Sequence, residues 1–193
     1  MIEDDLSLRN CNLKGKLTRV VPFSRHHRDS DSYLSWLNDP DVIKGLNLPN
    51  YHGGVERSTL QEYADQMAAL QSVVFLAVHD ITDDAFIGTV KAGQVSLHAQ
   101  TADIGIMIGQ RDRWGRGLGG DAVSVLSTHL FDTARLRKLT AGAMASNPAV
   151  ISVFQKLGFQ QEGRLRQQDL HDGRLYDHLL FGVFAEELRP LHA

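Results

Sequence analysis

The chain has 193 residues, 42% of them hydrophobic and 22% charged, with a formal net charge of −3 at pH 7. This length and composition are typical of one globular domain, so residues 1–193 are treated as a single unit. The near balance of charge gives no global attraction to nucleic acid or to an anionic membrane.

The single cysteine, Cys11, cannot form an internal disulfide, and no Cys/His spacing indicates a metal site. The N-terminal stretch MIEDDLSLRN is acidic and lacks the apolar segment of a secretory signal. No run of residues approaches the roughly 18 apolar positions of a membrane span. These features predict a cytoplasmic protein without nucleic-acid, membrane or metal partners.

The first half of the chain predicts one strand, short helices and a meander of strands. Residues 16–23 form a strand that ends at Pro22, and two short helices follow on either side of residues 38–40. Ser58 and Gln61 have the spacing of a capping box at the start of a further helix. Runs rich in β-forming residues then predict three strands at residues 73–80, 86–97 and 102–109.

The second half predicts a helix, a strand, a helix and a closing hairpin. Apolar residues recur at helical intervals over residues 122–136, and residues 138–145 read as a strand. Pro148 at a first helical position and Gly158 at a C-cap delimit the next helix. Two strands, 159–170 and 176–184, flank the turn at residues 171–174. The order of elements predicts a mixed α/β sheet and not a repeated βαβ chain.

The segment RDRWGRGLGGDA, residues 111–122, separates a predicted strand from a predicted helix. Backbone N–H groups at such a turn point outward at the positive end of the helix dipole. Glycine permits positive φ and a close approach of the ligand. Arg111, Arg113 and Arg116 add positive charge, so the loop predicts a site for a phosphate or a pyrophosphate.

Two nucleotide-binding motifs are possible interpretations of this loop. A Walker A loop requires Gly-Lys-Ser/Thr at its end, and here Asp121 and Ala122 follow Gly120. The spacing Gly115, Gly117 and Gly120 satisfies G-x-G-x-x-G, but the following strand has no acidic residue to bind a ribose. The dinucleotide interpretation, and with it a nicotinamide oxidoreductase, is therefore weakly supported.

WGRGLGGDA, followed about 30 residues later by NPAVISVFQKLGF, resembles the Gcn5-related N-acetyltransferases (GNAT). The segments SWLNDPDV and DGRLYDHLLFGV resemble its RimJ/RimL-type branch over about residues 16–188. The resemblance implies a GNAT fold, with a mostly antiparallel twisted sheet of about six or seven strands flanked by helices. Two of those strands are expected to splay and admit acetyl-CoA.

The resemblance also implies which residues bind acetyl-CoA as cosubstrate, with no metal. Backbone groups of the strand before the loop would contact the thioester and the pantetheine arm, and the loop would contact the pyrophosphate. Asparagine and lysine of the second motif would approach the cofactor as well. The cofactor-binding residues expected on this basis are Ile106, Met107, Ile108, Arg113, Trp114, Gly115, Arg116, Gly117, Leu118, Gly119, Gly120, Asn147, Phe154 and Lys156.

Acyl transfer to an amine requires a base, since an alkyl ammonium has a pKa of about 10. Asp103 occupies the strand position where many family members carry an acidic residue, and His98 is a rival base. The serine and tyrosine that relatives use to protonate the thiolate are replaced here by Val150 and Phe154. Ser152 or Tyr176 would then serve, unless the thiolate leaves unaided.

The resulting hypothesis is an acetyl-CoA-dependent N-acetyltransferase that acts on a primary amine of a protein N-terminus, an amino-sugar or a polyamine. The missing Ser and Tyr leave open a non-catalytic acyl-CoA-binding or regulatory module on the same fold. Either a monomer or a homodimer is compatible with the resemblance.

Overall fold

The computed structural model describes residues 6–46, 54–171 and 173–191, and an eight-stranded sheet organises them. The strands are β1 (Leu13–Lys14), β2 (Thr18–Pro22), β3 (Val74–Asp80), β4 (Phe86–Ser96), β5 (Thr101–Ile108), β6 (Lys138–Met144), β7 (Gln160–His171) and β8 (Arg174–Phe184). The α-helices are α1 (Leu6–Arg9), α2 (Arg25–Arg28), α3 (Asp31–Leu37), α4 (Pro40–Ile43), α5 (Arg57–Ala69), α6 (Leu118–Asp132) and α7 (Pro148–Lys156). None of these helices has the length and apolar character needed to cross a bilayer.

The strand order is β1-β2-β3-β4-β5-β6-β8-β7, and every neighbouring pair except β5–β6 is antiparallel. The prediction of a mixed α/β fold with a mostly antiparallel sheet is confirmed. The sheet has eight strands and not six or seven, because the two residues of β1 pair with β2. A two-residue strand carries no alternation that a sequence pattern could reveal.

Two apolar clusters pack on opposite faces of the sheet. The larger one contains Ile104 and Ala141 and is covered by α6 and α7. The smaller one contains Met107 and is covered by α3 and α5, through residues such as Trp36 and Leu60. Because alternate residues of a strand point to opposite faces, β5 contributes to both clusters and lies at the centre of the molecule.

The structure corrects two predicted helix boundaries. Helix α5 begins at Arg57 with Glu56 as its N-cap and no side-chain cap, so Ser58 lies inside the helix and the capping box is wrong. Helix α6 begins at Leu118 and not at residue 122, because Gly119 and Gly120 form its first turn. The predicted turn at residues 171–174 does connect β7 and β8, although residue 172 lies outside the described residues.

A chain of hydrogen bonds joins two buried histidines beside the smaller cluster. The backbone N–H of Ser24 donates to Nδ1 of His27 at 3.0 Å, and Nε2 of His27 lies 3.0 Å from Nε2 of His79. Nδ1 of His79 lies 2.8 Å from the carbonyl oxygen of Asp84, to which it donates. All of these contacts are satisfied when both rings are neutral. Burial first, and the adjacent His79 second, lower the pKa of His27 from 6.5 to about 4.

This network predicts that the protein loses stability in mild acid. A histidine whose pKa is lowered on folding binds its proton more readily in the unfolded chain, so stability falls as the pH drops from about 6.5 towards 4. We expect a loss of about 1–3 kcal/mol across that window. His27→Gln should be less stable than the wild type at pH 7.5 but should lose less on acidification. Urea unfolding at pH 7.5, 6 and 5 measures both quantities, and parallel losses for the two proteins would contradict the assignment.

Candidate functional site

The glycine loop forms a bed of backbone N–H groups at the start of α6. Gly115 and Gly117 have φ of 75° and 82°, a conformation that costs glycine little. Gly117 is the N-cap of α6 and supplies no side chain to the helix terminus. The first N–H groups of the helix therefore have no partner within it and face the cleft beside the loop. This geometry suits a phosphate or diphosphate.

The arginines of the loop are held more firmly than the sequence suggests. Arg113 is mostly buried and donates to Asp80 and Asp83 at 2.5 Å each. Arg111 pairs with Asp41 at 2.6 Å and lies 3.4 Å from Asp39. These two residues therefore brace the loop against the β3–β4 turn and α4, and the positive charge that the sequence predicts for the loop is already paired with carboxylates at both positions. Arg116 is exposed and does not line the cleft.

Asp121, in the first turn of α6, fixes the position of the helix terminus. Its buried carboxylate accepts hydrogen bonds from the backbone N–H groups of Lys16, Leu17 and Thr18 at 3.2, 3.1 and 2.8 Å. The Thr18 hydroxyl adds a fourth bond at 2.7 Å. A Cβ on Gly15 would collide with this carboxylate. The glycine bed is thus held to the β1–β2 turn by one side chain.

Strand β5 loses its second neighbour in the middle of its length. It pairs with β6 from Thr101–Lys138 to Ile104–Ala141, while both strands continue beyond that point. Residues 105–108 retain β4 as a partner. A cleft of about 670 Å³ lies here, lined both by residues 105–108 and by the glycine loop.

Most of the predicted site residues line this one cleft. Three of them do not: Arg116, Asp103 and Tyr176, the last of which lies on β8 opposite Asp169. His98, the rival base, lies exposed in the β4–β5 turn and is also absent from the lining. The predicted residues that do line the cleft are Ile106, Met107, Ile108, Arg113, Trp114, Gly115, Gly117, Leu118, Gly119, Gly120, Asn147, Ser152, Phe154 and Lys156.

Helix α7 closes one side of the cleft. The Asn147 side chain caps the helix by accepting from the Val150 N–H at 3.3 Å. Its amide nitrogen also donates to the carbonyl of Gly45 at 3.4 Å, which connects α7 to the end of α4. Phe154 is fully buried, with its ring 5.2 Å from that of Phe159, so its contribution to the lining is small. Ser152 and Lys156 complete the helix face in the cleft.

The far end of the cleft passes to the opposite face of the sheet and has apolar walls. Tyr33, Leu37 and Tyr63 line it from α3 and α5, and Phe75 and Lys91 line it from β3 and β4. Burial raises the pKa of Tyr63, so its hydroxyl is protonated and is available as a hydrogen-bond donor. The sequence analysis missed Tyr63, Phe75 and Lys91. Strand alternation reveals which residues share a face but not which face borders a cleft.

Asp103 points to the same face of the sheet as the far end of the cleft. It lies on the part of β5 that still pairs with β6, one position before the last pair. Its carboxylate accepts a hydrogen bond from Thr140 Oγ1 at 2.8 Å. Burial raises the pKa of Asp103 above its ordinary value, against the opposing effects of Thr140, Lys91 and His178. A carboxylate of raised pKa is suited to accept a proton, but this one is set back from the lining residues.

Comparison with known proteins gives a consistent result. Residues 19–160 match the family described as the acetyltransferase (GNAT) domain. The chain is 29% identical over 160 residues to the uncharacterized N-acetyltransferase p20 of Bacillus licheniformis, covering 82% of this chain and 89% of that one. It is 27% identical over 123 residues to the [ribosomal protein uS5]-alanine N-acetyltransferase of Escherichia coli, covering 62% and 61%. The structure of Mycobacterium smegmatis RimJ in complex with CoA-disulfide superposes with a TM-score of 0.79 at 19% identity, covering 92% and 87%.

Proposed function

Because the chain belongs to the GNAT family and is an acetyl-CoA-dependent N-acetyltransferase, we propose that it moves the acetyl group directly from the thioester to a primary amine. The acceptor amine belongs to a protein N-terminus, an amino-sugar or a polyamine. Direct attack requires that both substrates reach one cleft from different sides. The cleft described above has such a form, since it runs from the glycine bed of α6 to the apolar walls of α3 and α5.

The observation that carries this proposal is the coincidence of two features in one cleft. The helix terminus at Gly117 offers free N–H groups for the diphosphate of acetyl-CoA. Residues 105–108 of β5 have no partner in β6. The Ile108 carbonyl accepts a hydrogen bond from Trp114 Nε1 at 2.7 Å, which leaves residues 105–107 to pair with the amides of the pantetheine arm as an added strand would. In this proposed arrangement the thioester lies beside Ile106, Met107 and Ile108, where β5 is no longer paired with β6.

The departing thiolate needs a proton or must leave as an anion. Ser152 lines the cleft from α7 and is our candidate donor, whereas Tyr176 lies outside the lining. A thiolate with a pKa of about 8.5 is also a tolerable leaving group near neutral pH. Ser152→Ala therefore separates assisted from unassisted departure by its effect on kcat.

The proposal is tested by binding and turnover measured separately. Acetyl-CoA should raise the melting temperature, and isothermal titration should give a Kd in the low-micromolar range or tighter. CoA release should then be measured with three amines: a hexapeptide with an N-terminal alanine, glucosamine and spermidine. The peptide is chosen because one relative is a [ribosomal protein uS5]-alanine N-acetyltransferase. Binding without turnover of any of these amines would contradict the proposed acceptor classes, and absence of binding would contradict the cleft assignment.

Asp103 provides a test of proton chemistry on the acceptor face. Because its pKa is raised on folding, its ionised form costs stability once the pH exceeds about 3.9, the value in the unfolded chain. Asp103→Asn should therefore be at least as stable as the wild type at pH 8. Asp103 does not line the cleft and its carboxylate already accepts a hydrogen bond from Thr140, so we expect only a threefold to tenfold slower turnover, below the ~10²-fold effect of a direct base.

The rate of Asp103→Asn should recover as the pH approaches the pKa of the amine, about 10. Thermal melts and pH–rate profiles measure the two effects. A rate ratio that stays constant from pH 6 to 10 would remove Asp103 from the proton chemistry.

A further inference from the structure

Two glycines lie where β5 and β6 lose their pairing. Gly105 and Gly142 directly follow the last pair, Ile104–Ala141, and both line the cleft. Since Ile104 and Ala141 belong to the larger apolar cluster, the two glycines face the other side of the sheet. This is the side from which Tyr33 and Tyr63 approach, so the glycines mark the mouth of the cleft for the acceptor.

A side chain from a neighbouring strand covers each glycine. Lys91 of β4 lies over Gly105, with its Cε 3.1 Å from the position of an added Cβ. His178 of β8 lies over Gly142, where an added Cβ would collide with Nε2 of the ring. Lys91 itself lines the cleft, whereas the ring of His178 lies against Gly142, next to the lining and not within it.

The imidazole of His178 is held in a defined orientation. Its Nδ1 lies 2.8 Å from Oδ2 of Asp169, whose side chain is 2% exposed. A carboxylate can only accept this bond, so Nδ1 carries the proton and Nε2 presents its lone pair towards Gly142. Within the described residues no hydrogen bond occupies Nε2, and 23% of the His178 side chain is exposed to solvent. An oriented imidazole with a free Nε2 is the arrangement of a general base.

Charged side chains from three other strands surround this ring. Asp169 faces it from β7, and Asp103 interacts with it electrostatically from β5. Lys91 of β4 is the cation near Asp103. Further along β6, Lys138 is neutralised by Glu162 of β7 at 2.7 Å. Two carboxylates therefore flank His178, against one lysine on the far side of the opening.

Resting on the proposed function, we propose that His178 is a catalytic residue that receives the acceptor amine's proton, with Asp169 as the residue that positions it. The ammonium gives one proton to Nε2 and frees the nitrogen lone pair. The C–N bond then forms as the C–S bond breaks. The acylated nitrogen loses its second proton, the departing thiolate takes up one proton, and CoA leaves as the thiol. The net reaction releases one proton, which the exposed ring passes to water.

The test compares His178→Gln and Asp169→Asn with wild type in the complete protein, using the best acceptor of the three-amine panel. His178→Gln should lower kcat by about a hundredfold at pH 7 and should retain acetyl-CoA affinity. Its rate should rise with pH up to the pKa of the amine, whereas the wild-type rate should reach a plateau earlier. Asp169→Asn should lower kcat less than His178→Gln does. It should also change the pH at which the rate reaches its plateau.

Arg164→Gln is the matched control, since it breaks an exposed ion pair with Asp177 on the same hairpin. This variant should retain wild-type kcat and pH dependence. A His178→Gln variant with normal kcat, or one whose loss is equal at pH 7 and pH 10, would overturn the proposal. A wild-type protein that binds acetyl-CoA but turns over none of the three amines would overturn the proposed function first. Normal turnover with an unaffected His178→Gln would overturn only the role of His178.

Discussion

Replacement of Gly117 by tryptophan is expected to abolish CoA binding in a folded protein. Gly117 has φ of 82°, forms the N-cap of α6 and lines the cleft. An indole at this position fills the space beside the free N–H groups, where the diphosphate is proposed to lie. We expect the affinity to fall by at least about a hundredfold, equivalent to ~2.8 kcal/mol. Isothermal titration with CoA measures the effect, and circular dichroism verifies the fold.

The control must separate occlusion of the cleft from backbone strain. Gly173 has φ of 70° in the β7–β8 turn, with no atom within 4 Å of an added Cβ, and it lies outside the cleft lining. Gly173→Trp therefore introduces the same kind of strain without filling the cleft. We expect it to bind CoA as the wild type does. Equal affinities of Gly117→Trp and wild type would show that the diphosphate lies elsewhere.

Asp121→Ala is expected to produce the largest loss of stability. The substitution leaves the N–H groups of Leu17 and Thr18 and the Thr18 hydroxyl without their acceptor, and the Thr18 groups are buried. Unsatisfied buried donors cost about 1–3 kcal/mol each, so we expect a loss of about 3–5 kcal/mol for the group. For a chain of this size this lowers the melting temperature by roughly 6–20 °C. Differential scanning fluorimetry and urea titration measure it.

Asp132→Ala supplies the matched control on the same helix. Asp132 is exposed in the last turn of α6, where a negative charge is unfavourable to the helix dipole. Its removal should leave the melting temperature unchanged or slightly higher. If Asp121→Ala were no less stable than Asp132→Ala, the carboxylate would not hold the β1–β2 turn to the helix. A loss of CoA affinity in Asp121→Ala at temperatures where it remains folded would show that the same contact positions the glycine bed.

The elements that the sequence predicted best are those with strong local signals. Pro148 and Gly158 delimit α7 because proline suits a first helical turn and glycine suits the positive φ that follows a helix, here 93° at Gly158. The loop at residues 111–122 was recognised because its glycines and its position between a strand and a helix require only local geometry. The boundary of α6 was misplaced, since glycine disfavours a helix interior but is tolerated in a first turn.

The charged residues of the site could not be assigned in the same way. Arg113 and Asp80 are 33 positions apart, and only the fold brings them into an ion pair. Asp121 entered the sequence analysis as evidence against a Walker A loop, and its four long-range hydrogen bonds have no local signature. No local pattern indicates His178, because its proximity to Gly142 depends on the antiparallel pairing of β6 and β8.

The sequence by itself therefore determined the class of fold, the phosphate-binding turn and the family resemblance, because each depends on residue types within a few positions of one another. Only the tertiary structure decided which groups meet at the mouth of the cleft. Strands β4, β5 and β6 contribute Lys91, Gly105 and Gly142 to that mouth, and β8 places His178 against Gly142. Sheet order and register bring these residues together. Register is set by the packing of whole faces against α6, α7 and α3, a long-range property that no single stretch of the chain encodes.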